Sequence, residues 1–170
     1  KSPIPEARVE LYDSVADATE TVAAIIAAKI VPCTLEFMDN FTIRAVEDYA
    51  KAGLPTEAKA LLLIEVDGHA GEVAEDAAKV EEICKKHNAA RIQVAKDEEE
   101  KNKVWEARRA ALSALAKLKP TLVLEDATVP RSKIPDMVRG LDIVAEKYDL
   151  SIGTFGHAGD GNLHPTILCD

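Results

Sequence analysis

Two apolar periods take turns along this chain, and that alternation constrains its fold more than any other feature. Ser14–Ile30 carries Ala, Val and Ile at helical spacing, Pro32–Asp39 (PCTLEFMD) reads as a strand, and Thr42–Lys51 returns to helix before Gly53 and Pro55. Ala60–Asp67 (ALLLIEVD) is apolar almost without a break, the sign of a central strand. Gly71–His87 is helical with Asn88 as its stop, and Ala90–Ala95 is a short strand. Asp97–Lys117 is a long helix whose acidic first turn, with Lys117 and Lys119 near its end, complements the helix dipole. Thr121–Val129 reads as a strand, Ile134–Tyr148 as a helix after Pro130, and Ser151–Phe155 and Pro165–Cys169 as the last strands.

Such alternation suits a doubly wound parallel sheet. However, no strand–turn–helix junction carries GxGxxG or GxxxxGK[ST]. The expectation is therefore a single α+β domain over residues 1–170: a mostly antiparallel sheet with helices packed on one face, of ferredoxin-like type.

Composition excludes several roles. The net charge of −9 and the 4% aromatic content disfavour a nucleic-acid partner, which needs cations and stacking platforms. No apolar run approaches the ~20 residues of a membrane span, and KSPIPEARVELYDS has no signal-peptide core. Cys33, Cys84 and Cys169 are odd in number and lack a CxxC spacing, which reads as reduced, buried thiols of a cytoplasmic protein. Peripheral attachment to a membrane stays open.

The stretch with most chemistry is Gly156–Pro165, GHAGDGNLHP. His157 and His164 are seven apart, so an unbroken strand would set them on opposite faces. Gly159 and Gly161 permit a tight turn that folds both imidazoles to one side, a start on a metal site. Asp160 is as apt to bond turn backbone as to ligate. Spacing alone leaves a metal site and a hairpin with structural histidines equally open.

That stretch resembles the histidine motif of the FAD-linked oxidases of the vanillyl-alcohol-oxidase superfamily, in the branch that holds the flavoprotein chain of glycolate oxidase, D-lactate dehydrogenase and D-2-hydroxyglutarate dehydrogenase. Three further stretches agree in type and order: Thr34–Asp39 (TLEFMD), Trp105–Arg109 (WEARR) as the W-x-x-R helix, and Glu125–Arg131 (EDATVPR) with Ile134 and Pro135. The resemblance covers nearly the whole chain. It implies that residues 1–170 are most of the substrate, or cap, domain of a larger flavoprotein, with the FAD-binding domain and a C-terminal segment elsewhere. A third metal ligand and the catalytic base would then lie in that segment, so no catalytic residue is assigned here, and the fragment alone should be inactive.

Residue by residue, the resemblance implies that His157 and His164 bind a divalent metal such as Zn or Mn, that Arg108 holds the substrate carboxylate, and that Asn162 contacts substrate. Without it, Arg108 and Arg109 on a charged helix read as solvated residues; only Arg108 sits three after Trp105. Trp105 reads as core, Thr128 and Arg131 as shaping the start of the next helix, and His69 and His87 as surface residues. Glu125 departs from the hydroxyglutarate branch, which has a lysine there. An acid would repel a distal carboxylate, which favours glycolate or D-lactate. The implied activity is hydride transfer from a small D-2-hydroxy acid to FAD, with a quinone, an electron-transfer flavoprotein or an iron–sulfur subunit as electron acceptor. The competing expectation is a stand-alone metal- or ligand-binding α+β module without redox activity.

Overall fold

The structure, a computed structural model, describes residues 6–170. Eight strands and five helices follow in the order β1 (Glu6–Tyr12), α1 (Val15–Ala27), β2 (Thr34–Asp39), α2 (Asn40–Ala50), β3 (Ala60–Val66), α3 (Ala70–Lys86), β4 (Ala89–Val94), α4 (Glu98–Leu115), β5 (Thr121–Leu124), β6 (Ala127–Thr128), α5 (Ile134–Tyr148), β7 (Ser151–His157) and β8 (Asn162–Cys169). The sheet order is β4-β1-β3-β2-β7-β8-β5, with β6 also paired to β8. Every registered pair is antiparallel. The α+β, mostly antiparallel expectation holds.

The first four strands carry the ferredoxin-like order. β1 and β2 flank β3, and β3 and β4 flank β1. The two split crossovers place α1 and α3 together on one face. Strand β1 is missing from the sequence-based order, because Val9, Leu11 and Tyr12 share a short segment with Arg8 and Glu10, and charge masked the period.

Helices on one face is the part that needs correction. Helices α1, α3 and α5 cover one side through Val22, Ile25, Val80, Ile134 and Val138. Helices α2 and α4 cover the other through Ile43, Val46, Ala111 and Leu115. The reason lies in β3, where Leu62 and Ile64 face the first layer and Leu61 and Leu63 the second. A strand apolar on both sides has to be covered on both sides. The long α4 crosses from the β4 edge to the far edge at β5, and packs on α2 over the second face.

Local chemistry sets the helix ends. Ser14, Asp39 and Asp97 each accept a bond from a backbone N–H of the first turn, at 3.3, 2.9 and 2.9 Å. Glu100 answers Asp97 by accepting from the Lys96 N–H at 2.9 Å. Asn88 and Asp149 close α3 and α5 in the left-handed conformation, which short polar side chains tolerate. Asp39 has a second partner 115 residues away, the Thr154 N–H at 2.8 Å. That bond ties α2 to β7. Burial outweighs the bonds Asp39 accepts and lifts its carboxyl to about 6.

The thiols depart in part from expectation. Cys84 is buried, but Cys33 is exposed and Cys169 only half-covered. Cys33 lies in the connection before β2, where no helix covers it, and Cys169 ends a strand one place from the margin of the sheet.

Candidate functional site

The histidine stretch folds as a hairpin. Strand β7 ends at His157, a short 3-10 turn occupies Ala158–Asp160, and Gly161 turns the chain into β8 at φ +77°. A Cβ on Gly161 would lie 2.2 Å from the Val129 carbonyl oxygen, so only glycine lets the turn dock on that backbone. Gly156 does the same for the partner strand, since a Cβ there would come within 2.9 Å of the Asn162 carbonyl oxygen. The hairpin carries both imidazoles to the α2–α4 side of the sheet. The His157 and His164 rings lie 6.3 Å apart, edge to face. His164 also stacks at 5.6 Å on Phe155, its partner in the ladder.

The residue that organises this group escaped the sequence reading. Glu36, in the middle of β2, is 2% exposed among Leu35, Phe37 and Met38. The ladder sets it opposite His157, whose Nδ1 lies in ion-pair contact with one carboxylate oxygen, Oε1. The other oxygen, Oε2, accepts from Arg108 Nε at 2.5 Å. The guanidinium lies 4.9 Å over the Phe155 ring. Arg108 and His157 therefore meet on one carboxylate, although 49 residues separate them in sequence. The available signal was a charged residue inside an apolar strand, TLEFMD, in a place where carboxylates seldom sit without a partner.

A cleft of about 200 Å³ opens beside Glu36 and His157, lined also by Trp105, Arg131 and Asp160. Trp105 is half-buried, as its core reading implied. Its indole N–H donates to Glu65 at 3.3 Å, and Glu65 pairs with Lys101 at 2.8 Å. Arg131 lines the cleft, with no ion-pair partner among the described residues, and stands in the 3-10 turn Arg131–Lys133 that leads into α5. Asn162 opens β8 with its side-chain oxygen buried and unbonded. His164 Nδ1 is buried too, 3.5 Å from Asp126 and without a hydrogen bond. His69 is exposed at the start of α3, and His87 closes that helix.

The donor chemistry suits half of a metal site. Contact of His157 Nδ1 with Glu36 turns Nε2 away from that carboxylate, on a side chain that is 57% exposed, the arrangement by which carboxylates orient metal-binding imidazoles. No set of three His, Cys, Asp or Glu side chains that could hold a metal ion occurs among the described residues. The cleft is also too small for a dinucleotide, since pockets for ordinary organic ligands span roughly 300–1,000 Å³.

Solved structures place the fold in a class. The whole chain superposes on 40% of p-cresol methylhydroxylase with a TM-score of 0.69 at 14% identity. With alkyldihydroxyacetonephosphate synthase, 98% of it matches 36% of that chain with a TM-score of 0.67, also at 14% identity. Likeness at that level shows the fold alone. Sequence then gives the family: residues 7–170 match the C-terminal domain of the FAD linked oxidases, and the chain belongs to that family.

Among curated relatives, the glycolate oxidase subunit GlcD of Bacillus subtilis is 58% identical over 99% of the chain and 36% of its own length. The GlcD subunit of Escherichia coli K12 is 40% identical over the whole chain and 34% of its length. A D-lactate dehydrogenase of Anaerostipes hadrus is 30% identical over 95% of the chain and 36% of its length. The chain thus spans about a third of the relatives it matches. No helix among the described residues is long and apolar enough to cross a membrane.

Proposed function

We propose that this chain is the substrate domain of a flavin-dependent dehydrogenase or oxidase acting on a small D-2-hydroxy acid, glycolate or D-lactate. The observation that carries the reading is the meeting of Arg108 and His157 on Glu36, with His164 6.3 Å from His157, in a chain 58% identical to a glycolate oxidase subunit. FAD, held by the rest of the protein, supplies the acceptor for the two electrons that leave the substrate. An electron acceptor beyond the flavin, a quinone, an electron-transfer flavoprotein or an iron–sulfur subunit, completes the turnover. The thiols lack disulfide partners among the described residues, which suits a cytoplasmic setting.

Each residue then has a task it can perform with its own atoms. Arg108 is held through Nε, which leaves its two terminal nitrogens to fork onto a carboxylate and fix the α-carbon. The buried side-chain oxygen of Asn162 accepts a hydrogen bond from the substrate. His157 and His164 would be two ligands of a divalent ion such as Zn or Mn, which bound there would lower the pKa of the substrate hydroxyl. The remaining ligand and the base that takes the hydroxyl proton come from outside the described residues. Trp105 forms part of the cleft wall. Glu125 is exposed on the loop between β5 and β6, where it would repel a second carboxylate and so favours the short acids.

The test is a visible spectrum of the whole flavoprotein, recorded without oxygen before and after D-lactate and then glycolate. Bleaching of the flavin bands by either acid supports the reading, and a flavoprotein that neither acid reduces refutes it. In the same protein Arg108→Ala should lower kcat/KM for the acid by about 10²-fold, the loss expected when a charge-assisted fork of ~3 kcal/mol disappears.

A further inference from the structure

We infer that Glu36 is the positioning residue of this site: one buried carboxylate selects the His157 tautomer that bares Nε2 to the cleft, and with its other oxygen fixes the plane of Arg108. The inference rests on the reading above, in which His157 meets a metal ion and Arg108 a substrate carboxylate.

A carboxylate at this place is costly. Strand β2 lies between β3 and β7, and its other inner residues are apolar. Buried ion pairs can often be replaced by apolar side chains with no loss of stability. A glutamate here is therefore poorly explained by stability. It does one thing an apolar residue cannot. Oε1 contacts Nδ1 of His157, and Oε2 accepts from Nε of Arg108.

The geometry leaves little freedom. Glu36 and His157 are direct partners across an antiparallel ladder, so their Cβ atoms stand close on the same face. Nδ1 is the ring nitrogen nearer the backbone. Bonding it inward turns Nε2 outward, on a side chain that is 57% exposed. An ionised carboxylate only accepts, so Nδ1 must carry the hydrogen and Nε2 its lone pair. On the other arm, the Nε bond and the Phe155 ring fix the guanidinium plane, and the terminal nitrogens keep their donors free. One side chain on β2 thus sets the angle between a metal ligand from β7 and a carboxylate anchor from α4.

Tautomers can be read directly, without metal, flavin or turnover. Long-range nitrogen–proton NMR of the imidazoles, at a pH above the usual histidine range, should show His157 protonated at Nδ1, with its signals assigned by loss in His157→Gln. In Glu36→Gln the amide oxygen must face Arg108, so its NH2 faces His157 and donates. His157 should then switch to the Nε2-protonated form. Affinity for Zn2+ alone should fall by about 10–100-fold in that variant, the usual consequence of losing an orienting partner.

Nε2 protonation of His157 in the unaltered protein would overturn the proposal even if the variant does not fold. An unchanged tautomer in a folded Glu36→Gln protein would overturn it equally. If the tautomer switches as stated but neither hydroxy acid bleaches the whole flavoprotein, the positioning role stands and the substrate reading falls.

Discussion

Glu10 offers a quantitative test of how this fold treats buried charge. It lies fully buried on β1, facing the layer of α1 and α3. Neither of its oxygens has a hydrogen-bond partner, and the nearest cation is Arg8 at 3.6 Å, which also pairs with Glu6 and Glu81. Burial outweighs Arg8 and lifts the Glu10 carboxyl from its ordinary 4.5 to about 7. The folded state therefore holds a proton that the unfolded chain has released between those values. Stability is highest below 4.5 and is lost as pH rises through 7.

At 1.36 kcal/mol per pH unit, the fall between pH 5 and pH 8 from this one group is roughly 2–3 kcal/mol. Glu10→Gln keeps the shape and removes the titration. Urea melts at pH 5, 6, 7 and 8 should show the unaltered protein losing that amount relative to the variant, or about 1 M in midpoint at the usual slope. Asp39, lifted to about 6, adds a slope of the same sign to both proteins and cancels in the comparison. Parallel curves for the two proteins would refute the reasoning, because they would mean that Glu10 titrates alike in the folded and unfolded chains.

Gly161→Ala should cost more than about 2 kcal/mol, since left-handed backbone alone costs an ordinary residue ~1–2 kcal/mol and the new Cβ would overlap the Val129 carbonyl; thermal melting measures it, and an unchanged melting temperature would contradict the docked turn. Asp39→Ala removes a helix cap and leaves the Thr154 N–H without its acceptor, a combined loss of about 2–4 kcal/mol in a urea melt. Leu62→Ala, at a side chain with no exposed surface on the central strand, should cost about 2–5 kcal/mol, and a loss below 1 kcal/mol would mean the layer under α1 and α3 is not packed as described.

The class of fold was legible because period and burial are local. ALLLIEV could only be a strand deep in a sheet, and the helices from Thr42, Gly71, Asp97 and Ile134 declared themselves by spacing, caps and prolines. The turn between the histidines was legible too, because glycines at 159 and 161 exclude a continued helix or strand. The motif residues His157, His164 and Arg108 were recognisable from their neighbours in the chain.

What tertiary structure alone decided was where the buried charges lie. EARVELY hid a strand, since Arg8 and Glu10 are solvated in any local reading and become buried only once α3 closes over them. The second helical layer was equally hidden, because a strand's own sequence does not say which of its two faces each helix will take. Glu36 belongs to the same kind. Its partners arrive 72 and 121 residues later, from α4 and β7, and no local rule connects them. Periodicity is a property of neighbours in sequence and survives being read from sequence. An ion pair between distant strands and helices is a property of register and layer, which exist only after the chain has folded.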